Sequence, residues 1–490
     1  MPGLILALDQ GTTNTKALLL GAEGQPVFRA SAGISLITPQ PGFVEQDLRA
    51  IWKSVLQVIA QCVDFAGSNR IEGIAISNQR ETAAAWRRST GEPLANAMSW
   101  QCRRSENLCA TLASHSSLIR ERTGLPLDPL VSASKWFWLL ESKPECRTLA
   151  AAGELCLGTM DAWLIYQLTA GRAHLTDHSN ASRTALLNLK SLDWDSDLLT
   201  LFHIPRSSMP SLRNSSSLFA TVESIPALKG VPIVSAIGDS HAALFGHGRF
   251  TPGTVKATYG TGSSLMTATP GLPPATKELA RTIAWTREDA AQYALEGNIT
   301  MTGSAIQWVG EFLGLADPTA EVVALANSVD SSNGVFFVPA MVGLGAPYWD
   351  SSARGIITGL GRSSTQAHLA HAAIESVAFQ IADVLHAMDK ASGTNPSALY
   401  ADGGATRNQA LMQFQANLLQ LPVHRSANED LSALGAGWLG GLTLGWWKTL
   451  AEIEAFPHIS ETFLPGPANP AKYAAWKLAV AQARLREDAA

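Results

Sequence analysis

The stretch that decides the fold lies near the start of the chain, where residues 5–20 read ILALDQGTTNTKALLL. Two apolar runs flank a short turn with glycine and hydroxyl groups, a pattern that predicts a β-hairpin. The turn carries Asp9, Gly11, Thr12 and Thr13. Glycine and hydroxyls let a turn bind phosphate oxygens, and a nearby carboxylate can hold Mg²⁺ through water. The stretch therefore indicates a phosphate-binding hairpin, although an ordinary hairpin with a polar turn has the same local pattern.

A second stretch repeats this arrangement about half a chain later, where residues 254–267 read TVKATYGTGSSLMT. It again contains a strand, a Gly-Thr-Gly turn with hydroxyl groups, and a second strand. One such motif is weak evidence, but two copies in two halves of a chain are more specific. We therefore predict a duplicated α/β fold with one nucleotide bound between the halves.

Composition limits the classes of function. The chain has 490 residues, a length that favours two or more domains, and 46% of its residues are hydrophobic. The net charge of −5 is not that of a nucleic-acid-binding surface. Five scattered cysteines without a CxxC pair fit a reducing cytoplasm. We find neither a signal-peptide pattern nor an uncharged apolar run of about 18 residues, so we expect a cytoplasmic protein without a membrane partner.

Two polar clusters follow predicted strands in the first half of the chain. Arg80 and Glu81 come after the apolar run at residues 71–77, at the strand end where open α/β sheets bind ligands. Together they can hold two neighbouring hydroxyl groups of a polyol, although an exposed ion pair in a loop is an equal alternative. Trp100 follows another short strand and can form an apolar wall for such a ligand, or belong to the core.

The most specific single position is Asp239. An apolar strand ends at Gly238, Asp239 follows, and a helix rich in alanine begins. A carboxylate at this junction can accept a hydroxyl proton while the hydroxyl oxygen attacks phosphorus. The alternative is that Asp239 only caps the helix.

A strand, a double glycine and a helix start at residues 399–408 form the last candidate element. Bare backbone at Gly403 and Gly404 would let adenine or its ribose dock there. A plain tight turn between strand and helix is the alternative.

With these elements placed, the chain resembles the FGGY carbohydrate kinases and, within them, the glycerol kinases. The matching motifs are DQGTT from Asp9, NQRET from Asn78, WQCRR from Trp100, TDHSNASRT from Thr176, GD at Gly238, YGTG from Tyr259, GLGAPYWD from Gly343, ARG from Ala353 and DGGA from Asp402 with Asn408. The resemblance implies two actin-like (ribonuclease H-like) ATPase domains with a cleft between them. We expect an N-terminal domain at residues 1–246 that binds sugar and phosphate, and a C-terminal domain at residues 247–490 that binds the nucleotide.

The resemblance also implies the role of individual residues. Asp239 is the catalytic base, and Asp9 and Asp239 surround Mg²⁺. The residues implied for ATP are Thr12, Thr13, Asn14, Lys16, Thr261, Gly303, Gln307, Gly404 and Asn408. The residues implied for the polyol are Arg80, Glu81, Trp100, Leu130, Asp239, Ser240 and Ser264.

Three of these positions depart from the glycerol kinases, which carry tyrosine, glutamine and phenylalanine where this chain has Leu130, Ser240 and Ser264. Each change gives a smaller side chain or one that does not form hydrogen bonds, so the pocket gains room. We therefore predict an ATP-dependent kinase for a polyol or open-chain sugar of four or five carbons; the alternative is a glycerol kinase. Lys16 also stands in place of the family's arginine, which alters the geometry of that phosphate contact.

Two other classes of function use related folds. A nucleotide-driven structural protein or chaperone would need the hairpins but not Arg80, Glu81 and Trp100. A non-catalytic sugar sensor would be expected to lose Asp9 or Asp239, and both are present. The sequence leaves the oligomeric state open, with a homodimer as one option.

Overall fold

The computed structural model describes residues 3–67 and 70–485. Its first strands are β1 Leu4–Gln10, β2 Asn14–Leu20, β3 Pro26–Gly33, β4 Glu45–Gln46, β5 Ile71–Asn78, β6 Ala84–Arg87, β7 Ala97–Met98, β8 Leu155–Gly158, β9 Leu175–Asp177, β10 Leu187–Asn188, β11 Asp193–Trp194, β12 Ser211–Arg213, β13 Ser216–Thr221 and β14 Pro232–Gly238. The later strands are β15 Thr254–Tyr259, β16 Ser263–Thr269, β17 Ala280–Arg287, β18 Ala290–Ile299, β19 Phe336–Val338, β20 Ile356–Thr358, β21 Ala398–Asp402, β22 Val423–Ser426 and β23 Ile459–Phe463.

Helices surround these strands. They are α1 Leu48–Ala66, α2 Glu106–Thr111, α3 Ser116–Thr123, α4 Ser132–Ser142, α5 Pro144–Ala151, α6 Met160–Leu168, α7 His178–Ala181, α8 Ser196–Leu201, α9 Asp239–Gly246, α10 Gly303–Phe312, α11 Pro318–Ala326, α12 Gln366–Ser392, α13 Gln409–Leu419, α14 Leu431–Leu444, α15 Leu450–Glu454 and α16 Pro470–Ala483. None of the helices in the described parts of the chain combines the length and apolar character that a membrane crossing requires.

The large sheet contains the same five-strand unit twice. In the first unit the order is β3-β2-β1-β5-β14, with β1 antiparallel to β2 and parallel to β5. In the second the order is β18-β16-β15-β21-β22, with β15 antiparallel to β16 and parallel to β21. The pairing pattern is identical strand by strand. The predicted hairpins, β1–β2 and β15–β16, are therefore equivalent elements of a duplicated α/β fold, as the sequence indicated.

Each unit has its own core. In the first, α1 lies against β2 and β3, and Asp47 caps the helix by accepting a hydrogen bond from the backbone N–H of Arg49 at 2.8 Å. Val55 and Ile59, one turn apart on α1, bury their side chains there. In the second, α12 packs against α10, α11 and α13. A third, largely helical core, formed by residues between 83 and 209 with Ala280 and Ile283 of β17, extends the first unit.

The two units are joined by a close crossing of α9 and α14. At Gly435 an added Cβ would lie 1.9 Å from the carbonyl oxygen of Ala242, so only glycine fits this contact. Helix α14 belongs to the second half of the chain, yet it packs on β1, β5 and β14 of the first unit. Since α9 begins with Asp239, this crossing holds the candidate base at the junction of the units. The division of domains at residues 246 and 247 stays a prediction.

Candidate active site

Asp239 is the first residue of α9 and directly follows β14. The helix is capped by Gly238 rather than by Asp239, whose Oδ1 accepts a hydrogen bond from the backbone N–H of Ser240 at 2.6 Å. About a third of the Asp239 side chain remains exposed. The capping alternative therefore does not account for this residue, whose carboxylate is accessible at the end of a buried strand.

Five charged side chains form a chain of alternating sign that ends on Asp239. The Nε of Arg80 lies 3.0 Å from Asp239 Oδ1, and its Nη1 lies 2.7 Å from Glu296 Oε1. Arg183 Nη1 lies 2.9 Å from Glu296 Oε2, and Arg183 Nε lies 2.6 Å from Glu81 Oε1. The order is thus Glu81, Arg183, Glu296, Arg80, Asp239. We call this set the alternating charge chain.

Burial makes this chain different from a surface ion pair. The side chain of Glu296 is 0% exposed and that of Arg183 is 2% exposed. Burial alone would raise the pKa of Glu296, but the two arginines and His241 outweigh it and lower that pKa to about 2. Arg80 and Glu81 are therefore not a loop ion pair at the surface. Each is held in place by a buried partner of opposite charge.

The loop that carries Leu130 is fixed by a buried lysine. Lys135, fully buried, donates hydrogen bonds to the carbonyl oxygens of Leu130, Val131 and Glu81. Burial lowers the pKa of Lys135 to about 8. Glu81 has a φ of 60°, which is unusual for a residue other than glycine. Its carbonyl also accepts a bond from Ser132 Oγ at 3.0 Å, so two side-chain donors hold this strained residue in place.

Ser240 and Ser264 meet across the junction of the two units. Their hydroxyl oxygens are 2.9 Å apart, with Ser240 on α9 and Ser264 on β16. Lys256 Nζ donates to Ser240 Oγ at 2.9 Å. Ser264 Oγ lies 3.4 Å from Glu296 Oε1, so the serines adjoin the alternating charge chain.

Trp100 contacts the turn of the first hairpin, because its Nε1 donates a hydrogen bond to Thr12 Oγ1 at 2.9 Å. Trp100 is 38% exposed, which places it at a surface rather than in the core. Thr13 and Asn14 are exposed in the turn. Lys16 Nζ lies 2.8 Å from Asp430 Oδ1 at the start of α14.

The turn of the second hairpin is joined to two further predicted nucleotide elements. The N–H of Gly303 donates to the carbonyl of Gly260 at 3.0 Å, which ties the start of α10 to the turn that contains Thr261. At Gly403 an added Cβ would lie 2.4 Å from the carbonyl oxygen of Tyr259, so the double-glycine turn packs on the end of β15. Thr261, Gly303 and Gly404 thus come from three elements that meet.

The other two predicted nucleotide residues lie further along the same elements. Gln307 is exposed on α10, and its Nε2 donates to Glu311 Oε1 at 2.8 Å. Asn408 caps α13 by accepting a bond from the N–H of Leu411 at 3.1 Å. A capping role fixes the orientation of its side chain.

Asp9 and Asp239 form a pair of carboxylates that repel each other. Burial and then the charge of Asp239 raise the pKa of Asp9 to about 6, against a hydrogen bond from Ser77. Burial also raises the pKa of Asp239, while Arg80 opposes the rise. Within the described ranges no group of three or more His, Cys, Asp or Glu side chains could hold a metal ion. Two carboxylates completed by nucleotide phosphates are instead the donor set that Mg²⁺ prefers.

The raised pKa of Asp9 predicts a stabilising substitution. An acid whose pKa is higher in the folded state costs stability once it ionises, so the cost is absent below about pH 4, grows up to about pH 6 and then stays constant. We expect Asp9→Asn to raise the free energy of unfolding of the nucleotide-free protein by about 1–3 kcal/mol at pH 7.5, and by less at pH 5. Denaturant unfolding at both pH values measures it. Asp64→Asn, an exposed aspartate on α1, is the control, and an equal gain at both pH values would contradict the prediction.

Sequence reasoning did not assign a role to Arg183, Lys256 or Glu296. Glu296 lies within the otherwise largely apolar strand β18, and a charge there is costly unless it is paired. Arg183 lies in the polar stretch 176–184. Arg183 pairs with Glu81 and Glu296, and Asn180 on α7 exchanges hydrogen bonds with Asn78 at the end of β5.

Comparison with known proteins gives a consistent assignment. Residues 4–246 match the N-terminal domain of the FGGY family of carbohydrate kinases, and residues 255–444 match its C-terminal domain. Apulose kinase from Pectobacterium atrosepticum is 47% identical over 99% of both chains. Glycerol kinase from Symbiobacterium thermophilum is 45% identical over 98% of both chains.

Structural comparison agrees. The crystal structure of Plasmodium falciparum glycerol kinase with ADP superimposes with a TM-score of 0.93, at 30% identity over 99% of both chains. Family, relatives and fold all point to transfer of a phosphoryl group to an alcohol of a small sugar or polyol. The chain belongs to the FGGY family of carbohydrate kinases.

Proposed function

We propose that this kinase transfers the γ-phosphate of ATP to a terminal hydroxyl of a polyol or open-chain ketose with four or five carbons. The observation that carries the proposal is the wall of the site next to Asp239. Ser240 and Ser264 meet there, and Leu130 lies in the loop that Lys135 ties to the carbonyl of Glu81. By the resemblance to glycerol kinases, Leu130, Ser240 and Ser264 replace an aromatic ring, an amide and a second aromatic ring. One methylene of fit is worth about 1–3 kcal/mol in selectivity, so a wider pocket favours the longer acceptor.

In this proposal the acceptor binds between Asp239, Arg80, Glu81 and Trp100. The guanidinium of Arg80 and the carboxylate of Glu81 bind neighbouring hydroxyls, because the alternating charge chain fixes both groups. The exposed Trp100 indole covers the carbon face of the acceptor.

The nucleotide binds between the two hairpins. Thr12, Thr13, Asn14, Lys16 and Thr261 are proposed to contact phosphates, a role supported by their position in or beside the two turns. Gly303, Gln307, Gly404 and Asn408 are proposed to line the nucleoside site. Asp9 and Asp239 would hold Mg²⁺, which neutralises the phosphate charge when the metal ion is bound.

Asp239 acts as the base. Its carboxylate accepts the proton of a primary hydroxyl as the hydroxyl oxygen attacks the γ-phosphorus, and ADP leaves with the electrons of the broken bond. Burial raises the pKa of Asp239 and therefore strengthens it as a base. Arg80 orients the carboxylate through its 3.0 Å contact. Backbone N–H groups of the hairpin turns stabilise the charge on the transferred group.

The setting of the enzyme is also a proposal. Five cysteines without disulfides, all buried, support a reducing cytoplasm. The low net charge supports a small-molecule substrate without nucleic acid or membrane as partner. A homodimer is the proposed assembly.

A coupled ADP-release assay tests the acceptor. The panel is glycerol, erythritol, xylitol, ribulose, xylulose and apulose, the last named for the Pectobacterium atrosepticum relative. We expect kcat/KM for at least one larger acceptor to exceed that for glycerol about tenfold or more. The triple variant Leu130→Tyr, Ser240→Gln, Ser264→Phe should reverse the order. A wild-type enzyme that clearly prefers glycerol would refute the proposed acceptor.

A further inference from the structure

A directional chain of hydrogen bonds runs behind the acceptor pocket. Lys256 is 1% exposed, and within the described residues its ammonium group has one hydrogen bond, to Ser240 Oγ at 2.9 Å. Ser240 Oγ lies 2.9 Å from Ser264 Oγ, which lies 3.4 Å from Glu296 Oε1. This run of hydrogen bonds begins at the ammonium group of Lys256 and ends at the carboxylate of Glu296.

The chemistry of the two ends sets the direction of every bond. An ammonium group only donates and an ionised carboxylate only accepts, whereas a hydroxyl has one proton and two lone pairs. Glu296 only accepts, so Ser264 donates its single proton to Glu296. Ser264 can then only accept from Ser240, so the Ser240 proton goes to Ser264, while Ser240 accepts from Lys256. Each serine then has one lone pair left and no proton to offer.

We propose that Lys256 and Glu296 polarise this serine pair so that the wall presents only hydrogen-bond acceptors to the pocket. The wall then selects sugar or polyol substrates that have a free hydroxyl on the carbon facing it. The inference deepens the proposed function and rests on it, since it specifies what the wider pocket recognises. Lys256 and Glu296 are positioning residues here, because they act through the serines.

The consequence is a defined class of acceptor. A polyol, or the hydroxylated part of a ketose, donates into the wall. A carbonyl or carboxylate oxygen at the same position would meet lone pairs without a donor, and buried polar groups left unpaired are costly. The wall therefore favours polyol and ketose hydroxyls over the acid group of a sugar acid.

Replacement of single hydroxyls tests the proposal in the wild-type enzyme. For the acceptor that is turned over best, glycerol included, each non-reacting hydroxyl is replaced in turn by hydrogen and by fluorine. Fluorine can accept a weak hydrogen bond but cannot donate. We expect one position where both analogues lower kcat/KM by about 10- to 100-fold, equally within about threefold and mainly through KM. A fluoro analogue that keeps wild-type kcat/KM at every position would overturn the proposal.

Variants assign that position to the serines. In the double variant Ser240→Ala with Ser264→Ala, the fall in kcat/KM caused by removing the substrate hydroxyl should disappear. In Ser264→Ala, Ser240 keeps Lys256 as its donor but loses the acceptor of its own proton, so the fluoro analogue should recover relative to the deoxy analogue by about fivefold or more. Ser332→Ala is the matched control, because Ser332 is a buried serine that donates to a buried glutamate, Glu375, at 2.9 Å outside the pocket. An unchanged penalty in the double serine variant contradicts the proposal, even where the acceptor panel supports the proposed function.

Discussion

Asp239→Asn is expected to lower kcat at least about 10³-fold while it leaves acceptor affinity within a few-fold of the wild type. The amide keeps the shape of the side chain and can still contact Arg80, which lies 3.0 Å from Oδ1 in the native protein. It cannot take a proton, and it removes one of the two carboxylates of the proposed Mg²⁺ site. Single-turnover kinetics for the chemical step and calorimetric titration of the acceptor measure the two effects separately.

Asp195→Asn is the control for this variant. Asp195 also stands at the start of a helix, where it caps α8 and pairs with Arg122 at 2.8 Å. Its replacement should affect stability but not kcat. If Asp239→Asn kept more than a tenth of the wild-type kcat, Asp239 would not be the base.

Glu296→Ala is expected to damage both stability and catalysis, although Glu296 need not touch the acceptor. It would leave Arg80 and Arg183 buried without their shared partner, and breaking a buried ion pair typically costs about 3–5 kcal/mol. Arg80 would lose the contact that aims it at Asp239, so we expect kcat/KM for the acceptor to fall about 100-fold. Chemical denaturation and steady-state kinetics, carried out well below the unfolding temperature, measure the two losses.

Glu375→Gln gives a matched comparison with Glu296→Gln, the milder variant that keeps the shape of the side chain. Glu375 is also buried and paired, with His371 at 3.1 Å and with Lys472, but it lies on α12 away from the site. Both variants should lose stability, and only Glu296→Gln should lose acceptor kcat/KM. Equal kinetics in the two variants would mean that the alternating charge chain serves stability alone.

The elements that could be predicted from the sequence are those whose signal is local. Glycine and threonine between apolar runs indicate the turns at Gly11 and Gly260. The structure pairs β1 with β2 and β15 with β16 as expected. Asp239 was predictable because a strand, an acid and a helix start are contiguous. The family resemblance then supplied the order of these elements along the chain.

The partners of these residues were not predictable, because they depend on register between distant strands. Glu296 faces the site only because β18 pairs with β16 so that Met266 opposes Glu296 and Ser264 opposes Asn298. Ser264 and Glu296 then share one face of the sheet. Arg183 reaches Glu296 from the segment after α7, which is separated from β18 by more than a hundred residues of sequence. No periodicity in either segment indicates the other.

The central claim is that Asp239 aims an acceptor hydroxyl at the terminal phosphate of a nucleotide held between two equivalent hairpins. A crystal structure with the preferred acceptor, Mg²⁺ and a non-hydrolysable ATP analogue tests it most directly. The account predicts an acceptor hydroxyl within about 2.6–3.2 Å of an Asp239 carboxylate oxygen and in line with the γ-phosphorus, with the phosphates between the Thr12 and Thr261 turns. An acceptor hydroxyl out of reach of Asp239, or a nucleotide bound away from either turn, would contradict it.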